Sequence, residues 1–358
     1  MCSVDIRYNL WYTYCQQIER QKWVVPRLTR SSLSVSPDGK AAAFRDYGFD
    51  NIRAALILLV VFCHLCESFS DFQVNRLYLL IYSFHMPCFL FVTGYFARFD
   101  AKKLAKRLLL PYGVFQVLYT LFDCLYVHPE TEFVLQFTLP YWITWYLLTV
   151  FCLCFLIPIL ETNRPWVAMR NLALLTLVSL YAGTDSNAGN YLALGRTLVF
   201  LPCFFLGYYS GTVFAPTLVE GLRQRRWVLL PVLAVGVLLY EYTLKRAGGT
   251  CWLLYGAYSY KASNAGPLLR LLTLAGSMTW MLLLICLSPS RRIPLVSEIG
   301  ARTMPIYLLH GFVQRVLYKT HALPYGQSES YMLALGITVV IVILFSRKCF
   351  HRIFRFLF

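Results

Sequence analysis

Residues 50–98 read DNIRAALILLVVFCHLCESFSDFQVNRLYLLIYSFHMPCFLFVTGYFAR, and two histidines interrupt this otherwise apolar stretch. Residues 53–70 are almost wholly apolar, and a helix of that length crosses a hydrocarbon core of about 30 Å. Ionisable side chains at that depth are costly unless they face a protein interior or a wet cavity. His64, Glu67 and His85 are therefore candidates for a functional site.

Arg53 and His64 share one face of the first predicted helix. Their separation returns a helix to within about 20° of its starting face and spaces the two residues by about 16 Å along the axis. Glu67 follows His64 by three residues and reaches the same side. The pattern is also typical of an interfacial arginine that snorkels and of a histidine that packs against a neighbouring helix.

The composition is typical of a polytopic membrane protein. Hydrophobic residues make up 58% of the 358-residue chain, charged residues make up 14%, and the mean hydropathy is +0.56. Such a chain cannot cover itself with a charged surface, which excludes an ordinary soluble domain. The net charge of +16 does not indicate a nucleic-acid partner, because in a membrane protein the placement of the charges matters more than their sum.

Apolar segments recur along the chain and predict an all-α, polytopic transmembrane bundle of about ten helices. Most of the 33 Lys and Arg residues fall on one side if the first helix runs outward. This asymmetry predicts cytoplasmic N- and C-termini. We expect the protein to lie in the plasma (inner) membrane. Residues 245–266 are typical either of an outer loop or of a re-entrant piece. The predicted spans are 53–70, 77–97, 104–127, 141–160, 167–183, 196–214, 227–244, 267–288, 303–319 and 331–346.

Residues 1–45 predict a cytoplasmic, largely flexible N-terminal extension, and residues 46–358 predict the transmembrane domain. The extension mixes aromatic residues, charges, Ser and Pro, and it has no apolar run of the signal-peptide type. A wrongly assigned start would give the same pattern. Among the 12 cysteines no second pair of the same C-x-x-C spacing accompanies Cys63 and Cys66, so we expect no metal there.

The second and ninth spans carry the other two histidines of interest. Pro87 cannot donate to the carbonyl four residues earlier, so we expect a bend that opens a cavity beside His85. Gly94 in the same span is typical of a close approach between helices. His310 lies eight residues after Arg302, about 12 Å into its span. Three spans thus bring a histidine to membrane depth.

Further polar and aromatic residues lie near the ends of the predicted spans. Tyr307 precedes His310 by three residues and shares its face. Arg196 and Trp145 lie near outer ends, where a ring and a charge suit sugar stacking and hydroxyl binding, although an aromatic belt at the headgroups is equally typical. Arg302 is placed to hold either a ligand phosphate or a lipid headgroup.

Six motifs follow one another along the chain: DNIRAALILLVVFCHL, YSFHMPCFLFVTGYFAR, KRLLLPY, TWYLLTVF, RTLVFLPCFFLGYY and ARTMPIYLLHGF. In this order they resemble the membrane acyltransferase-3 family, and within it the fucose-4-O-acetylase-like acetyltransferases. The resemblance covers roughly 46–346, so 46–358 resembles the family's transmembrane acyltransferase domain. One departure is the pair Ala54-Ala55, where the family commonly has Lys-Gly or Arg-Gly.

The resemblance implies an integral membrane O-acyltransferase, commonly an O-acetyltransferase. Such proteins move an acyl group from cytoplasmic acyl-CoA to a hydroxyl of a cell-surface or lipid-linked carbohydrate. The expected partners are therefore acyl-CoA (acetyl-CoA), a carbohydrate acceptor and the lipid bilayer, without a metal cofactor. The family's motif positions match Arg53, His64, His85, Arg196, Thr303, Tyr307 and His310.

The residue types suit this chemistry. Acyl transfer to an alcohol needs a base for the hydroxyl proton, and a neutral imidazole serves near pH 7. We expect His64 to be that base or to carry the acyl group, and Glu67 to hold its tautomer. We expect His85 or His310 to donate to the developing oxyanion or to position the thioester carbonyl.

Two further sets of residues are expected to bind the substrates. The acceptor is expected to contact Arg196, Trp145 and Tyr307. The phosphates of CoA are expected to bind cationic side chains near the cytoplasmic face, namely Arg53, Lys102, Lys103, Arg107 and Arg302.

A polytopic transporter or exporter of a polysaccharide or small polar solute is the alternative function. It would also carry buried histidines along a wet pathway. The sequence shows no internal repeat, which argues against an inverted-repeat transporter.

Overall fold

A computed structural model of the chain describes residues 47–69, 76–186, 189–214, 216–246, 251–323 and 328–353. Every regular element in these ranges is a helix, so the predicted all-α fold is confirmed. The predicted N-terminal extension, 1–45, lies outside the described residues. In chain order the helices are α1 (Gly48–Cys66), α2 (Arg76–Tyr82), α3 (His85–Phe96), α4 (Ala101–Val127), α5 (Trp142–Leu160), α6 (Pro165–Ala182), α7 (Leu194–Thr212), α8 (Pro216–Gln224), α9 (Arg226–Arg246), α10 (Cys251–Leu254), α11 (Tyr260–Ser263), α12 (Pro267–Leu287), α13 (Val296–Gly300), α14 (Thr303–Thr320), α15 (Ser328–Phe345) and α16 (Lys348–Ile353).

Within the described ranges, 7 stretches are long and apolar enough to cross a membrane: α1, α2 with α3, α4, α5, α7 with the turn before it, α9 and α12. The three other predicted spans form helices α6, α14 and α15, which are shorter or less apolar than this criterion requires. The chain is therefore a multi-pass membrane protein. The predicted ten crossings and the cytoplasmic termini stay predictions.

Helix α1 lies at the centre of the bundle, against α3, α12, α13, α14 and α15. Polar contacts fix its first turn: Asn51 donates from Nδ2 to the Pro289 carbonyl (3.0 Å) and accepts at Oδ1 from the Ser297 hydroxyl (2.7 Å). At Gly300 of α13 a Cβ would lie 1.7 Å from the Asp50 carbonyl oxygen, so only glycine permits this packing. The α1 helix therefore enters the bundle at a fixed position.

The second predicted span breaks in the middle, directly before His85. The predicted bend occurs as a break between α2 and α3 at Ser83 and Phe84. Pro87 cannot donate to the Ser83 carbonyl, and the Ser277 hydroxyl of α12 donates to that carbonyl instead (2.8 Å). The break is therefore stabilised within the protein, and His85 begins α3.

Helices α3 and α7 pack backbone against backbone through glycines. A Cβ on Gly94 would lie 2.0 Å from the Phe204 carbonyl oxygen, and one on Gly207 would lie 2.0 Å from the Phe91 carbonyl oxygen. The close approach predicted at Gly94 is confirmed. It brings the backbones of α3 and α7 into direct contact.

The segment between α9 and α12, predicted to be an outer loop or a re-entrant piece, contains the two short helices α10 and α11. It is tied to the end of α6 at Tyr260. The Tyr260 backbone N–H donates to the Gly183 carbonyl (2.7 Å), and its hydroxyl donates to the Leu180 carbonyl (2.7 Å). The segment is thus held against the bundle by two hydrogen bonds from Tyr260 to backbone carbonyls at the end of α6.

The variant Gly207→Ala is expected to lower the midpoint of thermal unfolding in detergent. Its Cβ would overlap the Phe91 carbonyl, and such overpacking costs about 1–3 kcal/mol. The matched control is Gly113→Ala in α4, where a Cβ meets nothing within 4 Å; this variant should leave the midpoint unchanged or raise it slightly. Equal midpoints for the two variants would contradict the close packing of α3 and α7.

Candidate active site

Two cavities in the described part of the bundle meet at shared side chains. We call the first the histidine cavity; it has a volume of about 250 Å³. We call the second the basic cavity; it has a volume of about 730 Å³. Val60, Met86 and Tyr307 line both. The predicted site residues that line the histidine cavity are His64, Glu67, His85, Trp145, Arg196 and Tyr307.

The Glu67 carboxylate is the centre of a hydrogen-bond network beside the histidine cavity. Its Oε1 lies 3.3 Å from Nδ1 of His64 and accepts from the hydroxyls of Tyr78 and Tyr82, each at 2.8 Å. The Tyr78 hydroxyl also lies 2.8 Å from that of Tyr255. The carboxylate thus receives its hydrogen bonds from side chains, as a charge at membrane depth requires.

The network determines what His64 can do. With Nδ1–H donating to Glu67, the neutral ring carries no proton at Nε2 and can accept one there. The Trp142 ring packs edge-on against the imidazole, with centroids 4.8 Å apart. Trp142 itself has a φ of 37°, a strained conformation for an aromatic residue and one that concentrates at functional sites.

The other two histidines each bond to a backbone carbonyl through Nδ1, but they differ in their position relative to the histidine cavity. Nδ1 of His85 lies 2.7 Å from the Ile81 carbonyl, and Nδ1 of His310 lies 3.1 Å from the Ile306 carbonyl. A carbonyl only accepts, so Nδ1 donates in each ring, and Nε2 of the neutral ring can only accept. His85 lines the histidine cavity. His310 is fully buried and stacks on His64, with centroids 5.5 Å apart and planes at 27°.

Arg196 and Trp145 form one wall of the histidine cavity. The guanidinium carbon of Arg196 lies 4.9 Å from the centroid of the Trp145 ring. Its Nε donates to the Tyr255 carbonyl and its Nη1 to Oδ1 of Asn190, both at 3.2 Å. A cation and an aromatic ring are therefore paired here, and both line the cavity that holds His64 and His85.

The Tyr307 side chain stands where the two cavities meet. Its hydroxyl donates to the Ile143 carbonyl, and its ring centroid lies 6.1 Å from that of His310. The predicted shared face of Tyr307 and His310 is therefore realised, with Tyr307 at the cavity and His310 behind it.

The basic cavity is lined by three of the five cations predicted to bind phosphates, Arg53, Lys103 and Arg107, and also by Arg98. The guanidinium of Arg53 lies 4.6 Å from the centroid of the Phe96 ring. The Arg107 side chain belongs to a π-helical turn, Ala105–Leu109, within α4, and such turns are frequent at functional sites.

Lys103 forms an ion pair with Asp100 (2.9 Å), which also caps α4 by accepting from the Lys103 backbone N–H (3.0 Å). Hydrogen bonds from Lys103 hold the pKa of the exposed Asp100 carboxylate below its usual value. The structure does not bring Lys102 to this cavity. It does not bring Arg302 there either, since Arg302 donates to the Ser346 carbonyl (3.1 Å) and pairs with Glu298 (3.5 Å).

Several residues of the site were not singled out from the sequence: Tyr78, Tyr82, Tyr255 and Arg98. Tyr78 and Tyr82 are four residues apart on α2, and this i, i+4 pair of hydroxyls at membrane depth was the available signal. Among the residues that the structure describes, no group of three or more His, Cys, Asp or Glu side chains could hold a metal ion.

Comparison with known proteins shows what the chain is similar to. It is 35% identical over 78 residues to nodulation protein NolL of Sinorhizobium fredii (strain NBRC 101917 / NGR234), and this match covers 20% of each chain. No solved structure matches the chain significantly. A family model described as an acyltransferase domain, of the acyltransferase-3 type, matches residues 46–347. Because that match covers most of the chain and the fold is a multi-pass helical bundle, this protein belongs to the acyltransferase-3 family of membrane acyltransferases.

Proposed function

We propose that this protein is an O-acetyltransferase of the plasma membrane. It would move an acetyl group from cytoplasmic acetyl-CoA to a hydroxyl of a cell-surface or lipid-linked carbohydrate. The observation that carries the proposal is the meeting of two unlike cavities at Val60, Met86 and Tyr307. The basic cavity suits the donor and the histidine cavity suits the acceptor, so the two substrates could bind separately and meet where the cavities join.

The basic cavity suits the nucleotide part of the donor. Arg53, Arg98 and Arg107 present guanidinium groups, which bind phosphates through several hydrogen bonds. Its volume of about 730 Å³ lies within the range of ordinary ligand sites. Along α1 the step of about 16 Å from Arg53 to His64 is comparable to the reach of a pantetheine arm, so the thioester would arrive beside the imidazole.

The reaction uses His64 as the base. Nε2 takes the proton of the acceptor hydroxyl while that oxygen attacks the thioester carbonyl carbon. The carbon–sulfur bond then breaks, the thiolate of CoA leaves, and the proton on His64 passes to the sulfur. Glu67 holds the ring by its Nδ1–H and stabilises the imidazolium that forms. Transfer through an acyl-imidazole at His64 would use the same arrangement.

The roles of the other two histidines follow from their hydrogen bonds. His85 faces the cavity and can donate to the oxyanion only from a protonated ring, because its neutral Nε2 accepts. His310 does not reach the cavity, so we assign it the role of holding the plane of the His64 ring by stacking. Arg196, stacked on Trp145, is an arginine that lines the histidine cavity and can donate to the acceptor there.

Transport of a polysaccharide or small polar solute is the second candidate, because two cavities that meet inside a bundle also suit a transport path. A transporter needs no base. Movement of a solute across the membrane that survives loss of His64, without acyl transfer by the wild type, would favour this reading.

The proposed function is tested with purified protein in nanodiscs and radiolabelled acetyl-CoA. Release of CoA and transfer of label to cell-envelope glycans are measured for the wild type, His64→Ala and His128→Ala. We expect His64→Ala to lower the rate by about 10²–10⁴-fold, the usual contribution of a positioned base. His128 lies outside both cavities, and its variant should retain activity. Turnover that is unchanged in a folded His64→Ala protein would overturn the role of His64.

Replacement of the Glu67 carboxylate by an amide should lower the turnover number with little effect on KM. Glu67→Gln keeps the size of the side chain but removes the charge that stabilises the protonated His64, and we expect a loss of about 10²-fold. The matched control is Glu241→Gln. Glu241 is also bonded to other side chains, Ser83 and Trp280, but it lines neither cavity. Equal effects of the two variants on turnover would contradict the role of Glu67.

Of the four cations of α4, Lys103 and Arg107 line the basic cavity, whereas Lys102 and Lys106 do not. Arg107→Gln should raise KM for acetyl-CoA about tenfold, since one charged hydrogen bond to phosphate is worth about 1.5–3 kcal/mol. Lys102→Gln should leave KM unchanged. Steady-state kinetics over a range of acetyl-CoA concentrations measures both, and a larger effect at Lys102 would contradict the assignment of the donor site.

A further inference from the structure

The segment between α9 and α12 forms one side of the histidine cavity. Tyr255 and Tyr258 line this cavity with their side chains. Trp252 lies next to them and outside it, with its ring centroid 4.7 Å from that of Tyr258 and 5.8 Å from that of Tyr255. Trp252 is 45% exposed. The three rings thus form a continuous aromatic surface that leads from the cavity to the outside of the protein.

Two arginines hold the backbone of this segment in place. Arg270 of α12 is only 2% exposed, and its Nη1 donates to the Leu253 carbonyl (2.6 Å). Arg196 donates from Nε to the Tyr255 carbonyl (3.2 Å). These two bonds tie the backbone of the segment to α7 and α12. The aromatic surface is therefore preformed, which lowers the entropic cost of binding a ligand.

The same segment is connected to the catalytic network. The Tyr255 hydroxyl lies 2.8 Å from that of Tyr78, which donates to Glu67. A ligand that rests on Tyr255 would therefore lie beside His64. The aromatic surface is then continuous with the reacting centre and is not a separate site.

The chemistry of this surface suits a carbohydrate. Aromatic rings offer flat apolar faces for the C–H face of a sugar ring, while tyrosine hydroxyls and Arg196 offer hydrogen bonds to its hydroxyls. The histidine cavity, at about 250 Å³, is smaller than the 300–1,000 Å³ typical of sites for larger ligands. It suits one sugar ring, and the exposed Trp252 packs against the Tyr255 and Tyr258 wall of this cavity, where an adjoining sugar can rest.

We propose that Trp252 forms a second sugar subsite: the reacting sugar lies in the histidine cavity against Tyr255 and Tyr258, and the adjoining sugar packs on Trp252. The inference rests on the proposed function and deepens it. It makes the acceptor a carbohydrate of at least two linked residues, and it makes Trp252 a specificity-determining residue.

The test is equilibrium dialysis of radiolabelled methyl glycosides against the protein in nanodiscs. The probes are methyl glycosides of hexoses and 6-deoxyhexoses, each used as the monosaccharide and as the disaccharide extended by one sugar. For the wild type we expect Kd for the best disaccharide to be about tenfold lower than for its monosaccharide. Trp252→Ala should remove this preference without changing Kd for the monosaccharide, and Trp252→Phe should retain most of it.

The matched control is Trp227→Ala, since Trp227 is 76% exposed on α9 and lines neither cavity. It should bind both probes as the wild type does. A wild type without preference for disaccharides, or a preference that survives Trp252→Ala, would overturn the subsite and leave Trp252 an interfacial anchor. An equal loss in Trp227→Ala would also overturn it.

Labelled acetyl-CoA added to the same samples separates this inference from the proposed function. Acetyl transfer to a glycoside without any effect of Trp252→Ala on sugar preference would overturn the subsite and support the function. Trp252-dependent binding of disaccharides without acetyl transfer would support the subsite and overturn the function.

Discussion

A carboxylate at membrane depth must receive its hydrogen bonds from the protein, and the site is built around one that does. Oε1 of Glu67 is shared by His64, Tyr78 and Tyr82, so α1 and α2 are joined at this point. The same bonds fix the tautomer of His64 and leave its Nε2 able to accept a proton. Through Tyr78 the network continues to Tyr255, which belongs to the segment between α9 and α12. One polar centre thus orients the His64 ring and one wall of its cavity together.

The second constraint is the packing that separates the histidine cavity from the basic cavity while keeping the two cavities adjacent. Three side chains, Val60, Met86 and Tyr307, line both cavities. They come from α1, α3 and α14, and the first two of these helices are fixed by backbone contacts with α13 and α7 at glycines. Close packing of this kind leaves little room for the dividing side chains to move. The two cavities are therefore adjacent, and these three side chains divide them.

Helical periodicity predicted those features of the site that depend on a single helix. The face shared by Arg53 and His64 was readable because it depends only on 3.6 residues per turn, and the two line adjoining cavities. Periodicity gives a face and not the neighbour it meets. His310 stacks on His64, and Arg302 donates to the Ser346 carbonyl. Both contacts join helices that are far apart in the sequence. The contact of the Tyr255 hydroxyl with that of Tyr78 could not be predicted either, because these residues are also far apart in the sequence.

The most direct test of a two-sided site uses sealed proteoliposomes. A carbohydrate acceptor is trapped inside, labelled acetyl-CoA is added outside only, and the label on the trapped acceptor is measured. We expect label on the trapped acceptor while the CoA released stays outside, because the two cavities would receive their substrates from opposite faces. Transfer that occurs only when acetyl-CoA and acceptor share one side of the membrane would contradict this arrangement.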